Sequence, residues 1–154
     1  MQFTPQAYGA ESDVLSVSAT PGGGVNLPLA GTGLGTPSLT ISPDDYSFPD
    51  TPVGTNSLVQ VFRVTNEGTG PAWFNVEGTS ADIYSVYFTR ELAPEGCSFG
   101  QELDPGQSCN VAASASPHVR GPLAGVLYAK FFANPDAVSG TEYDAQAVLH
   151  VTGI

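Results

Sequence analysis

The two cysteines carry the most specific chemistry in the chain. Cys97 and Cys109 enclose residues 104–106, an Asp-Pro-Gly turn sequence that could bring the two sulfurs within bonding distance. We predict a structural disulfide, which would indicate an oxidising compartment. A redox-active pair or half of a metal site are the rival interpretations. Both lack support, because the spacing is not C-x-x-C and only His118 and His150 could assist.

Acidic residues are the next candidates for chemistry, since 15 of them against four basic residues give a formal net charge of −11. Carboxylates in loops could bind calcium, but these do not have the spacing of an EF-hand. We interpret them as a solvated surface and predict no metal and no cofactor. The charge also argues against nucleic-acid binding, because it repels phosphate. The loop acids are Asp44, Asp45, Asp50, Asp82, Asp104, Asp136, Glu142 and Asp144.

No pattern in the sequence indicates catalysis. Residues 78–82 (GTSAD) contain serine and aspartate but lack the second glycine of a nucleophile elbow. Residues 31–35 are glycine-rich, yet Pro37 and a predicted strand follow where a dinucleotide loop requires a helix. No spacing selects two carboxylates for glycoside hydrolysis. We predict that the chain is not an enzyme.

Aromatic side chains provide a candidate interaction surface. Trp73, Tyr84, Tyr87, Tyr128 and Tyr143 could form a strip that binds sugar or protein. Tyrosine is also common in half-buried strands, which needs no ligand.

The elements that must position these residues are strands. Runs of β-prone residues alternate with turns rich in glycine and proline, and no window shows a sustained helical period. The spacing is typical of an all-β sandwich. No stretch approaches the roughly 20 apolar residues needed to cross a bilayer, so we predict no membrane insertion. The predicted strands cover residues 13–20, 25–30, 38–42, 58–66, 72–77, 83–89, 109–115, 125–133 and 143–152.

The start of the chain resembles its end. Two blocks match, and Val14-Leu15 falls on Val126-Leu127 in the register of the first block. Such a repeat indicates one structural unit present twice. We predict that residues 1–35 are the last two strands of a preceding repeat and that residues 36–154 form one complete domain. The blocks are residues 4–9 (TPQAYG) with 116–121 (SPHVRG), and 27–34 (LPLAGTGL) with 147–154 (AVLHVTGI).

Residues 64–71 (VTNEGTGP) are similar to a T-N-x-G-x-x-P hairpin, and Cys97 with residues 103–109 (LDPGQSC) is similar to a C…L-x-P-G-x-S-C segment. These motifs resemble the immunoglobulin-like repeats of the ASH and major-sperm-protein-like group, in the bacterial form called choice-of-anchor D domains. Further likeness lies in residues 29–33 (LAGTG), 39–43 (LTISP), 46–48 (YSF) and 52–55 (PVGT).

The resemblance implies an immunoglobulin-like β-sandwich, repeated in series within large secreted or surface proteins of bacteria. We therefore predict a non-catalytic structural or binding module: a stalk, adhesin or assembly segment whose partners are proteins, either adjacent repeats or further copies of itself. Any export signal would lie outside residues 1–154.

Two other functions stay open at this point. Residues 1–35 could add strands to a neighbouring chain, which would make this a self-assembling subunit, including a phage capsid or tail decoration protein of the virion. The chain could also be an accessory carbohydrate-binding domain of an extracellular enzyme, with a glycan as ligand.

Overall fold

The computed structural model describes residues 9–81, 87–136 and 140–154, with side chains described outside residues 76–81. Every regular element in these ranges is a β-strand. The strands are β1 (Gly9–Ala19), β2 (Gly23–Gly33), β3 (Leu39–Ser42), β4 (Asp45–Ser47), β5 (Gln60–Asn66), β6 (Ala72–Ala81), β7 (Phe88–Glu91), β8 (Glu102–Leu103), β9 (Ser108–Ala115), β10 (Gly121–Phe132) and β11 (Glu142–Gly153).

Strands β3 to β11 form a two-sheet sandwich. One sheet has four strands in the order β3-β5-β9-β7, and the other has five in the order β4-β11-β10-β6-β8. The described strand pairs are antiparallel except for β4 and β11, which run parallel. The predicted all-β immunoglobulin-like fold is confirmed.

The core lies between the two sheets and follows the alternation of the strands. Phe62 and Val64 point inward from β5, and Leu127 and Phe131 point inward from β10, all fully buried. Alanines fill the narrower layers of β9, β10 and β11, where larger side chains would force the sheets apart. Phe74 meets Phe131 edge to face, with ring centroids 5.3 Å apart.

Strands β1 and β2 form a two-stranded sheet of their own, which we call the leading hairpin. They pair antiparallel along their whole length, from Gly9 opposite Gly33 to Ala19 opposite Gly23. Within the described residues, the leading hairpin makes no substantial contact with the strands of the sandwich.

Most predicted strands correspond to observed ones, with ends shifted by a few residues. Strand β2 extends through Gly33, three residues beyond the predicted strand over residues 25–30. The predicted strand over 83–89 is seen only from Phe88 onward, and residues 82–86 lie outside the described ranges. The short strands β4 and β8 were not predicted.

Candidate functional site

The loop after β5 is organised by one buried side chain, Asn66. Its Oδ1 accepts hydrogen bonds from the backbone N–H groups of Ser38 at 3.2 Å and Gly68 at 3.0 Å. Its Nδ2 donates to the carbonyl oxygens of Gly70 and Leu103, both at 2.8 Å. All four hydrogen-bonding positions of the amide are therefore used. One side chain thus connects the segment before β3, the loop after β5 and the end of β8.

The segment before β3, residues 34–38, is held against this loop through its backbone. Thr36 accepts a hydrogen bond from Thr69 N at 2.9 Å, and Ser38 accepts one from Glu67 N at 2.7 Å. Thr36 N donates to Thr69 Oγ1 at 3.2 Å. We call residues 34–38 the linker, and the end of the sandwich where it lies the linker pole.

Glycines permit this close approach of two backbone segments. A Cβ on Gly68 would lie 2.3 Å from Thr36 O, and one on Gly35 would lie 2.1 Å from Thr69 O. Gly70 faces Gly35 across the same contact. Gly68 and Gly70 are therefore needed for the close packing of these two backbone segments.

A continuous ladder of backbone hydrogen bonds connects residues 44–53 to β11. Beyond the parallel pairing of β4, Phe48 N donates to His150 O at 2.8 Å and Thr51 N donates to Thr152 O at 2.9 Å. The ladder begins where Val148 N donates to Asp44 O at 2.8 Å. It ends at the far pole of the sandwich, where Ile154 N donates to Thr51 O at 3.1 Å and Val53 N donates to Ile154 O at 3.0 Å.

The predicted disulfide between Cys97 and Cys109 is present, with the two Cα atoms 5.0 Å apart. Cys109 lies in β9 and is buried, whereas Cys97 lies in the loop between β7 and β8. Cys97 N also donates to Asn110 O at 2.9 Å, so backbone pairing and the disulfide attach the loop to β9 together. Neither cysteine is free, so a redox or metal-binding role for the thiols is not needed to explain them.

The described candidate aromatic residues lie on different sides of the sheets. Trp73 and Tyr128 project from the outward face of the five-stranded sheet, both half-buried. Tyr87 packs against the core, and Tyr143 pairs with the inward-pointing Phe131 near the start of β11. Tyr84 lies outside the described residues. An interaction surface stays a prediction, and among the described candidates Trp73 and Tyr128 share the outward face of one sheet.

Two charged pairs lie on the described part of the five-stranded sheet. On the outward face of the five-stranded sheet, Lys130 Nζ lies 2.8 Å from Glu142 Oε1, and this hydrogen bond raises the pKa of the lysine. His150 Nε2 lies 3.3 Å from Asp45 Oδ2 across the β4–β11 pair. The described residues contain no cluster of three or more metal-ligating side chains. In the same ranges, no helix is long and apolar enough to cross a membrane.

Comparison with known proteins identifies the fold. No model of a protein family matches the sequence, and no curated protein matches it. Among solved structures, the ASH/PapD-like domain 7 of human CEP192 is similar, with a TM-score of 0.54 and 15% identity over 75% of this chain and 84% of that chain. The chain has an ASH/PapD-like fold.

Two bacterial structures are also similar in fold to this chain. A protein of unknown function from Porphyromonas gingivalis W83 matches with a TM-score of 0.51 and 14% identity, over 96% of this chain and 67% of its own. The VesB protease of Vibrio cholerae matches with a TM-score of 0.52 and 17% identity, over 75% of this chain but only 31% of its own. At these identities the likeness is one of fold alone.

The sequence showed the T-N-x-G-x-x-P motif at residues 65–71 but not the hydrogen bonds that its asparagine makes. The Asn66 network joins three segments distant in sequence, so no local pattern reveals it. The ladder between residues 44–53 and β11 has a weak signal, the YSF and PVGT segments on either side of Asp50, which mark an extended chain without showing its partner.

Proposed function

We propose that the ASH-like domain is a non-catalytic, force-bearing module of a secreted or cell-surface bacterial protein, working as one unit in a series. The observation that carries this proposal is the parallel ladder between residues 44–53 and β11. Its partners are then the adjacent units of the same polypeptide.

The chain passes through the sandwich from one pole to the other. The linker joins it at the linker pole, beside Asn66, and Gly153 leaves it at the far pole, beside Thr51. Tension applied through these two points pulls residues 44–53 toward the linker pole and β11 toward the far pole. The two segments are parallel and directly paired, so the pull slides one along the other.

Sliding two paired strands past each other loads their hydrogen bonds together. The bonds of the ladder run across the strands, whereas the force runs along them. Separation therefore requires several bonds to break in one step, which raises the barrier to forced unfolding. A hairpin pulled open from its ends would lose its bonds one at a time.

The chemistry of the chain supports an extracellular setting. The Cys97–Cys109 disulfide persists in oxidising compartments. The formal net charge of −11 favours solubility and gives the surface little affinity for nucleic acid. The resemblance to bacterial choice-of-anchor D repeats supports the bacterial origin.

Single-molecule force spectroscopy on the full chain tests the proposal. With handles at the exposed Leu34 and at Ile154, we expect a higher unfolding force than with handles at Leu34 and Pro135, which both lie toward the linker pole. The variant Val148→Pro removes the N–H that donates to Asp44 O, and we expect it to lower the force on the Leu34–Ile154 axis.

Gln146→Pro is the matched control. Gln146 is exposed on the same edge of β11, two residues before the first pair with β4. We expect it to leave the force on the Leu34–Ile154 axis much less changed. Equal losses in the two variants, or the same force on both axes, would contradict a force-bearing ladder.

A further inference from the structure

Large aliphatic side chains are concentrated on one face of the leading hairpin. Residues opposite each other across the strands share a face, and Leu15 pairs with Leu27 while Val17 pairs with Val25. Leu29 lies on the same side. Val17 is 51% exposed, Leu27 is 54% exposed and Val25 is 64% exposed. We call these five side chains the aliphatic face.

The opposite face of the hairpin differs in composition. It carries Ser16 opposite Asn26 and Ser18 opposite Gly24, with Val14 opposite Pro28 nearer the linker. A hairpin with large aliphatic residues on one side and mainly small residues on the other has the pattern of a sheet with one face buried. We therefore expect the aliphatic face to pack against another apolar surface.

The last hairpin of the sandwich, β10–β11, has the same register as the leading hairpin. Gly9 pairs with Gly33, and Gly121 pairs with Gly153. These are the residues that the internal sequence match aligns. Gly9 and Gly121 also share a positive φ, 107° and 109°. Two independent features, the sequence match and the strand pairing, thus place the two hairpins in the same alignment.

This alignment shows what covers the equivalent face in the sandwich. Leu15 corresponds to Leu127 and Leu29 corresponds to Leu149, and both counterparts are fully buried. Their cover is the four-stranded sheet, whose inward side chains include Phe62 and Val111.

Two acids define the boundary of the aliphatic face. Asp13 pairs with Leu29 and Glu11 pairs with Gly31, so both acids lie on the same side as the aliphatic residues, toward Gly9. Their counterparts are Gly125 and Leu123. The cover must therefore be apolar near the turn of the hairpin and must leave the acids in solvent or offer them hydrogen-bond donors.

We propose that the leading hairpin completes the sandwich of a preceding ASH-like unit in the same polypeptide. Its aliphatic face packs against an apolar four-stranded sheet of that unit, as β10–β11 pack in the complete domain. This inference rests on the proposed arrangement in series. It concerns a different surface from the ladder, so the two can fail separately.

A chimeric chain tests the inference. Residues 36–115 are joined to residues 4–154, because Thr4 aligns with Ser116, and the first part then supplies β3 to β9 ahead of the leading hairpin. We expect amide hydrogen exchange of Leu15, Val17 and Leu27 to slow by about 100-fold or more relative to the parent chain. Light scattering should give a monomer for both chains.

Leu27→Asp and Val14→Asp provide the matched pair. Both place a charge on the leading hairpin, but Leu27 lies on the aliphatic face and Val14 lies on the other. In the chimera, Leu27→Asp should restore fast exchange and Val14→Asp should not.

Hairpin amides that exchange as fast in the chimera as in the parent chain would overturn the inference, whatever the state of the added strands. A parent chain that dimerises, and that Leu27→Asp returns to monomer, would also overturn it, because the aliphatic face would then belong to a second copy. Neither result bears on the force measurement, which loads the ladder between Leu34 and Ile154.

Discussion

The hydrogen bonding at the linker pole depends largely on one side chain, that of Asn66. Its amide hydrogen bonds reach Ser38, Gly68, Gly70 and Leu103, and the side chain has no access to solvent. Water cannot replace those bonds without opening the linker pole. The residue is therefore a sensitive point for stability.

We expect Asn66→Ala to lower the free energy of unfolding by about 3–4 kcal/mol, because buried partners would lose their hydrogen bonds. Urea unfolding measures the change. Asn110→Ala is the control, since its side chain donates one exposed bond to Pro94 O at 2.8 Å and should cost about 1 kcal/mol or less. Similar losses for the two variants would contradict the network.

Lys130, the only lysine in the chain, gives a prediction about pH. Its raised pKa is caused first by the hydrogen bond to Glu142, with Asp144 a lesser cause. A lysine whose pKa is higher in the folded state adds stability below its ordinary pKa of about 10.4, and this is lost as the pH rises through the folded value. Stability near pH 7 should therefore not respond to the titration of Lys130.

An NMR titration of the lysine side chain checks the prediction. Glu142→Gln should return the pKa of Lys130 toward its ordinary value, and Asp144→Asn should lower it less. A larger effect from Asp144→Asn would show that the 2.8 Å hydrogen bond does not control the lysine.

At the residue scale, the sequence was sufficient where chemistry is local. The Cys97–Cys109 disulfide could be predicted because a turn sequence lies between the two cysteines. The sequence alone could not show which candidate aromatic side chains share a surface. Strand alternation directs Trp73 outward, whereas tertiary packing places Tyr87 against the core. Which face a tyrosine occupies depends on strands that are distant in sequence.

Among the elements, the linker and the loop after β5 act as one unit. Their backbones meet at Gly35, Gly68 and Gly70, where a Cβ atom would collide with carbonyl or amide groups. Backbone cannot move aside as a flexible side chain would. The contact therefore has little tolerance for substitution.

Gly68→Ala should destabilise the domain by about 2 kcal/mol or more, since the new Cβ would lie 2.3 Å from Thr36 O. Thermal unfolding measures this loss. Glu67→Ala in the same loop is the control, because its exposed side chain can be removed while the bond from Glu67 N to Ser38 O remains. A Gly68→Ala protein as stable as the control variant would contradict the close packing.

Long strands were predictable from alternation, whereas β4 and β8 were not. Strand β4 has three residues and β8 has two, too few for a period of two to be recognised. Each forms only because a longer strand, β11 or β6, offers it a free edge. The ladder that carries the proposed function therefore could not be read from local sequence.

At the scale of the whole molecule, the leading hairpin and the linker differ in how firmly each is attached to the sandwich. The leading hairpin makes no substantial contact with the described strands of the sandwich. Thr36 and Ser38 of the linker, in contrast, are hydrogen bonded to the loop after β5. The internal match had predicted a boundary near residue 35. That boundary stays a prediction, and stability measurements can locate it.

Deleting residues 1–33 should leave the urea midpoint of the sandwich unchanged within error. Deleting residues 1–38 should lower it, because the hydrogen bonds from Ser38 and Thr36 to the loop after β5 are lost. Equal urea midpoints for the two truncated proteins would contradict this division. A much lower midpoint after deletion of residues 1–33 would contradict it as well.

In the proposed series, the anchoring of the linker also limits the length of free chain between units. Thr36 and Ser38 are hydrogen bonded, Gly35 is packed against Thr69, and Leu34 is 90% exposed just beyond Gly33, the end of β2. One residue contributes only about 3.5 Å of contour and two soft dihedrals. An array built from such joints would keep a nearly constant axial repeat and bend only at single-residue pivots. Its length would then scale with the number of units, as in a jointed rod rather than a flexible string.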